Sequence, residues 1–159
     1  MAYSLRAARP EDAYGMMAIA HEGLRPSIEA LWGWDAEDQR ERFLAQFEPI
    51  HIAIIQLGGR DVGYMKVEDC EDCIYLAGIY LAKDDRSKGI GSQVLIDLMR
   101  KATEAAKPLR LRVLVPNPAK TLYARLGFRV TKTTDSHVYM EFEPNATQQC
   151  AADAAELGR

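Results

Sequence analysis

Three β-rich blocks stand in a row at the centre of the chain: "HIAIIQL" (51–57), "RDVGYMKVED" (60–69) and "CIYLAGIYLA" (73–82). The Gly58-Gly59 pair and "EDCEDC" separate them. Links this short make hairpins and leave no room for a crossover, so the three blocks are read as sequential antiparallel strands. The third is apolar nearly throughout, from Ile74 to Ala82, the pattern of a strand covered on both faces. Next, Ile90, Val94, Leu98 and Ala102 recur every four residues, with Leu95, Met99 and Ala106 widening the stripe. That spacing predicts an amphipathic helix packed on the sheet, ended by Pro108.

The flanks extend this core. "YSLRAA" is a short strand, and Pro10 with Glu11 and Asp12 suits the entry of a helix over "RPEDAYGMMAIAHEGL". "PSIEALWGWDAEDQRERFLAQF" reads as a second, broken helical region, interrupted at Gly33 and resumed after Asp35 as N-cap. After the central helix, "LRLRVLV" alternates as a strand and "NPAKTLYARLGF" as a short helix, and "RVTKTT" and "HVYMEFE" close the pattern. With 159 residues the chain suits one mixed α/β domain over 1–143, followed by a flexible tail over 144–159.

Twenty basic against twenty-three acidic residues give a net charge of −3, which argues against nucleic acid as the partner. No apolar run approaches the ~20 residues of a membrane span, and "MAYSLRAARPEDAY" has no signal-peptide core, so the expected location is cytoplasmic. Cys70 and Cys73 form a C-x-x-C pair, but no second ligand pair accompanies it for zinc, and His21, His51 and His137 are isolated. Two thiols flanking a turn is the reading adopted, with no metal expected; Cys150 falls in the tail.

The stretch "DDRSKGIGSQVL" (84–95) opens the central helix. Its first turn, Ile90 to Gln93, contains no acid, although a helix N-terminus favours one, and Arg86 and Lys88 add positive charge just before it. Gly89 and Gly91 remove side chains where an anion would approach the backbone. Taken alone, the stretch is either a glycine turn or a phosphate cradle. It is not a Walker loop, and Val94 stands where a dinucleotide fingerprint needs its third glycine.

"NPAKTLYARLGF" (117–128) is the second motif. Asn117 and Pro118 suit a helix start, and Gly127 with Phe128 suits a Schellman end. Read with R-x-x-G-x-G at Arg86, Gly89 and Gly91, it resembles the GNAT superfamily of acyl-CoA-dependent N-acetyltransferases, whose signatures are [Q/R]-x-x-G-x-[G/A] and N-x-x-A-x-x-x-Y-x-x-x-G-F. Ala119 falls one residue earlier than in the second signature, as in an "NPA" variant, and the resemblance covers residues 3 to 143.

The resemblance implies a mostly antiparallel sheet of about six or seven strands flanked by about four helices, and acetyl-CoA as cofactor. It implies that Arg86, Ser87, Lys88, Gly89, Ile90, Gly91 and Ser92 surround the CoA pyrophosphate. The strand edge at Ile79, Tyr80 and Leu81 would hold the pantetheine arm, with one N–H polarising the thioester carbonyl, a contact typically worth ~3 kcal/mol in the transition state. Asn117 and Ala119 would meet the cofactor arm, and Tyr123 would protonate the leaving thiolate as general acid.

Many relatives carry a glutamate on the strand before the phosphate loop, and "IYLAGIYLA" has no carboxylate. Glu68, Glu29, Asp35 and His137 are the remaining candidates for a general base. By the same resemblance, "IEALWGWDAEDQRERF" lines the acceptor side, with Glu29, Trp32, Trp34 and His137 as acceptor-site candidates; either tryptophan is as readily a core residue. The implied activity is acetyl transfer to a primary amine of a small molecule or peptide. A non-catalytic acyl-CoA-binding module of the same fold is the alternative, and homodimers are common in the superfamily.

Overall fold

The computed structural model describes residues 2–144, which leaves all but the first residue of the expected tail, Cys150 included, outside the described residues. The strands are β1 (Ser4–Ala7), β2 (Ile52–Leu57), β3 (Arg60–Asp69), β4 (Ile74–Leu81), β5 (Leu109–Leu114), β6 (Arg129–Thr133) and β7 (His137–Phe142). They form one seven-stranded sheet in the order β1-β2-β3-β4-β5-β7-β6. Every neighbouring pair is antiparallel except β4 and β5, which run parallel. The helices are α1 (Ala13–Trp32), α2 (Ala36–Gln46), α3 (Ile90–Glu104) and α4 (Ala119–Leu126). The mixed, mostly antiparallel α/β architecture is the one expected, and no helix among the described residues is long and apolar enough to cross a membrane.

The two faces of the sheet are covered unequally. On one face, the α3 stripe Ile90, Val94, Leu95, Leu98 and Ala102 packs with Leu76, Leu109, Leu111, Val138 and Met140, joined by Tyr123 and Phe128. On the other, Met16 and Ala20 of α1 pack on Ile52, Ile54 and Tyr64, with Phe43 and Phe47 at the rim. The second cluster stops at β4, so among the described residues nothing of that cluster covers the outer face of β5 and β7. There the alternation in "LRLRVL" and "HVYMEF" turns Arg110, Arg112, Tyr139 and Glu141 outward.

Two differences from the sequence-based expectation have physical causes. The first helix does not end before Pro26 but continues through it to Trp32, and the break comes only at Gly33 and Trp34. A proline inside a helix forfeits one hydrogen bond, here to the Glu22 carbonyl, a loss this helix tolerates over its 20 residues. The apolar run of β4 is not covered on both faces: only Ile74 and Leu76 are buried, and Ala77 to Leu81 are half-buried along an open cleft. The C-x-x-C segment is the β3–β4 turn, closed by Cys70 N–H donating to the Cys73 carbonyl at 2.9 Å, with both thiols free.

Arg6 joins three elements on the α1 side, reaching Asp12 at the α1 entrance at 2.9 Å and Asp61 of β3 at 2.7 Å. Its guanidinium holds the Asp12 carboxyl down at about 2 and lowers that of Asp61. A carboxyl depressed on folding stabilises the native state above its unfolded pKa of ~3.9 and loses that contribution as pH falls toward the folded value. The stability lost between pH 5 and pH 2 in urea titrations is therefore expected to be smaller in Arg6→Gln than in the wild type. At Gly63, a methyl group would overlap the Tyr80 carbonyl oxygen across the β3–β4 pair. Gly63→Ala is expected to lower the unfolding free energy by about 1–3 kcal/mol, read from the urea midpoint.

Candidate functional site

β4 and β5 pair over only three positions, Ile74 to Leu76 against Leu109 to Leu111, and then separate. The separation begins where β4 is irregular against β3: Lys66 lies opposite Gly78, yet Val67 lies opposite Leu76, so Ala77 is the extra residue of a bulge. A bulge bends its strand, and this one turns β4 away from β5. The gap opens into a cleft of about 820 Å³. Ala77 to Leu81 form one wall and Arg112 to Leu114 the other; α1 contributes Glu22 to Leu24, Pro26 and Ser27, and α4 contributes Leu122 and Tyr123. Along its free edge β4 has no strand partner past Leu76, so its main-chain groups there are available to a ligand.

At one end of the cleft lies the loop that starts α3. Arg86 Nε donates to the Leu81 carbonyl at 2.9 Å, fixing the guanidinium against the end of β4. Ser87 and Gly89 both have left-handed backbones, with φ of 62° and 83°. For serine that conformation costs about 1–3 kcal/mol, the kind of strain a ligand loop stores. Left-handed residues in a turn gather N–H groups into an anion-binding concavity. No side chain caps α3 and no acid lies in its first turn. The carboxylate that could fold back, Asp85, is instead buried and committed to Arg60 at 3.0 Å and Lys88 at 3.6 Å. Gly91 faces the cleft, where a Cβ would meet only Leu81 Cδ1, at 3.7 Å. The protein's own packing does not demand glycine there, and its lack of a side chain leaves room for a bulky anion. A phosphate-bearing cofactor therefore fits this end of the cleft.

Tyr123 rises from the α4 side. Asn117 Oδ1 accepts from Ala119 N–H at 2.9 Å and caps α4 one residue earlier than a cap on its first turn would sit. The other end is a Schellman closure, with Phe128 N–H donating to the Tyr123 carbonyl and Gly127 N–H to that of Ala124. The Phe128 ring stands edge-on to Tyr123, 5.6 Å between centroids. Tyr123 is 6 % exposed, and burial pushes its hydroxyl pKa up, with Tyr80 adding to the effect. The Tyr80 ring lies tilted against Tyr64, 5.2 Å between centroids, and burial pushes its hydroxyl pKa to about 12. Both phenols therefore keep their protons at neutral pH.

Of the cofactor-side candidates, Ile79, Tyr80, Leu81, Arg86, Ser87, Gly91, Asn117, Ala119 and Tyr123 line the cleft. Ile90 points into the core, Lys88 is turned to Asp85, and Gly89 and Ser92 lie on the loop and first turn just outside the lining. The acceptor-side candidates divide. His137 lines the cleft, and the exposed ring of Trp32 lies 6.5 Å from it. Glu29 and Trp34 belong instead to a second hollow of about 400 Å³ with His21 and Arg25, which adjoins the cleft at Glu22 and Pro26. Asp35 caps α2 by accepting from Asp38 N–H at 3.1 Å. Glu68 gathers with Glu48 and His51, their ligand atoms within 4.8 Å of one another, outside the cleft lining. Burial, helped by Arg112, lowers the His137 imidazole pKa, which leaves it neutral near pH 7.

Glu22 and Arg112 also line the cleft, and neither stood out in the sequence. Glu22 sits one turn before Pro26, at the carbonyl the proline leaves free. The alternation of "LRLRVL" puts Arg110 and Arg112 on one face, but only the sheet order reveals that this face lies beyond the second cluster.

Residues 48–130, just over half of the chain, match the family model described as an acetyltransferase (GNAT) domain. Solved structures share the fold. PaiA N-acetyltransferase from Thermoplasma acidophilum, in complex with coenzyme A, is 18% identical, with a TM-score of 0.71 over 90% of this chain and 99% of that one. An acetyltransferase from Thermus thermophilus is 21% identical, with a TM-score of 0.65 over 89% of this chain and 96% of that one. An N-acetyltransferase from Staphylococcus aureus is 16% identical, with a TM-score of 0.66 over 87% of this chain and 98% of that one.

The cap on α4 gives this site a measurable stability. Asn117→Ala is expected to cost about 1 kcal/mol in urea unfolding, and Asn117→Asp, which keeps the capping oxygen, much less.

Proposed function

The chain belongs to the GNAT acetyltransferase family, and on that premise we propose that it is an N-acetyltransferase. It transfers the acetyl group of acetyl-CoA to a primary amine of a small molecule or peptide, by direct attack in a ternary complex. The observation that carries this reading is the uncapped, left-handed start of α3 opening into a cleft whose far wall holds the buried, protonated Tyr123.

Acetyl-CoA, when bound, supplies an acetyl group activated as a thioester. The N–H groups from Ser87 to Ser92 and the Arg86 guanidinium hold its pyrophosphate, where the helix dipole and the left-handed turns favour negative charge. The free edge of β4 from Ala77 to Leu81 would hold the cofactor arm through main-chain hydrogen bonds, and an N–H at the bulge would serve as donor to the thioester carbonyl. Tyr123 keeps a proton on its hydroxyl for the departing sulfur; burial, which raises its pKa, prevents that proton's loss to solvent. His137, neutral and at the acceptor end, receives the proton that the attacking nitrogen sheds. Ser136 Oγ, 2.8 Å from His137 Nδ1, steadies the ring. The cleft aligns the two reactants, so no covalent enzyme intermediate is required.

The alternative, an acyl-CoA-binding module without turnover, draws support from the lack of any carboxylate on β4. Thiol release from acetyl-CoA across a panel of amines and peptides separates the two. Tyr123→Phe is expected to lower kcat roughly 10²–10⁴-fold with CoA affinity kept within about twofold. An unchanged kcat would remove Tyr123 from the chemistry. Gly89→Glu is expected to abolish CoA binding in calorimetry, because it puts a negative side chain and a strained backbone at the pyrophosphate. A folded Gly89→Glu protein of wild-type CoA affinity would place the pyrophosphate elsewhere.

A further inference from the structure

Arg112 occupies a singular place. It is the first residue of β5 beyond the last β4–β5 pair, Leu76 with Leu111, and therefore stands at the apex of the cleft it lines. Its register partner on β7 is Tyr139, and the phenols of Tyr139 and Tyr75 lie beside its guanidinium. Among the described residues no carboxylate pairs with it. Its neighbour on the same face of the same strand shows the contrast: Arg110 is taken up by Glu141 at 2.8 Å, with Asp72 at 3.9 Å. The other guanidinium of the cleft, Arg86, is held at the far end of β4 by the Leu81 carbonyl.

We propose that the acetyl acceptor is a small amine that also carries a carboxylate, as a free amino acid does, and that Arg112 receives that carboxylate. The inference rests on the acetyl-transfer reading and names the substrate class of its acceptor end. A guanidinium offers two parallel N–H donors in the geometry of a carboxylate, a far better match than any neutral group. The His137 imidazole on the same lining is neutral and so brings no positive charge to compete with the guanidinium for that carboxylate. Glu22, on the α1 wall, is the carboxylate of the lining and complements the ammonium of the same acceptor. A purely cationic acceptor would meet an uncompensated guanidinium here. The size agrees as well: the 820 Å³ is shared with the cofactor arm, which leaves space for a small molecule.

The probe is a panel of L-amino acids and their C-terminal amides, titrated calorimetrically into CoA-saturated protein and assayed for thiol release with acetyl-CoA. At least one amino acid is expected to bind and to show a kcat/KM roughly tenfold or more above that of its amide. Arg112→Gln is expected to lower that amino acid's kcat/KM roughly 10–100-fold and erase the preference, with Arg112→Lys restoring part of it. CoA affinity serves as the check on folding. A wild-type preference for the amides, an Arg112→Gln protein that keeps the acid-to-amide ratio, or a panel in which no amino acid binds would each overturn the proposal. Arg112-dependent binding of an amino acid without thiol release would overturn the transfer reading, and with it the acceptor role, and leave only the carboxylate site at Arg112 standing. Transfer confined to amines without a carboxylate would do the reverse.

Discussion

Everything functional in this fold depends on β4 leaving β5. Three residues of parallel pairing anchor the two halves of the sheet, and a single extra residue at Ala77 then turns β4 aside. The departure exposes a row of main-chain groups that a continuous sheet would have satisfied internally. A buried strand without partners would be costly, so the gap persists only because it opens to solvent and to ligand. The half-buried state of Ala77 to Leu81 is the direct trace of that compromise. Gly78 belongs to it too: a Cβ there would strike the Tyr80 ring, which lies across the bulge.

Around this gap the charges are distributed by commitment rather than by number. The chain is net acidic, yet among the described residues no carboxylate pairs with the two guanidiniums of the cleft, while Asp85, just before α3, is tied to Arg60 and Lys88. Had Asp85 turned back onto the helix start, it would have satisfied the N–H groups and closed the anion site. Its burial beneath Arg60 keeps that end of the cleft positive. The left-handed Ser87 is part of the same arrangement, since a relaxed backbone at that position would disperse the N–H groups.

What the sequence made legible follows from which interactions are local. The α3 stripe, the hairpin turns and both ends of α4 are set within a few residues, and their positions were readable to within one residue or so. Pro26 misleads because α1 is buried on both sides of it, at Met16 and Ala20 before and at Ser27 and Ile28 after, which holds the helix together across a lost hydrogen bond. The apolar run of β4 misled in a more instructive way: its composition fits burial on both faces, but the bulge converts one flank into the wall of a cleft. Trp34 and Glu29 were equally opaque, because only the direction in which α1 ends decides that they face the second hollow. Arg112 was hidden by its twin, since nothing in "LRLRVL" distinguishes it from Arg110.

That pair shows how one strand assigns two roles to the same residue type. Arg110 lies opposite Glu141 in the β5–β7 ladder, and the cross-strand ion pair neutralises it on the sheet surface. Two residues on, the opposing position is Tyr139, which offers no carboxylate. β4 has by then turned away, so no other strand offers a carboxylate either. The sheet register thus commits one arginine to stability and leaves the next with its charge uncompensated at the mouth of the gap. Because the same bulge creates the gap and removes the competing strand, the proposed sites for the cofactor arm and for the acceptor's carboxylate would both depend on one structural event. A shift of the β4 irregularity by even one residue would turn the wall side chains to the other face and disturb both at once.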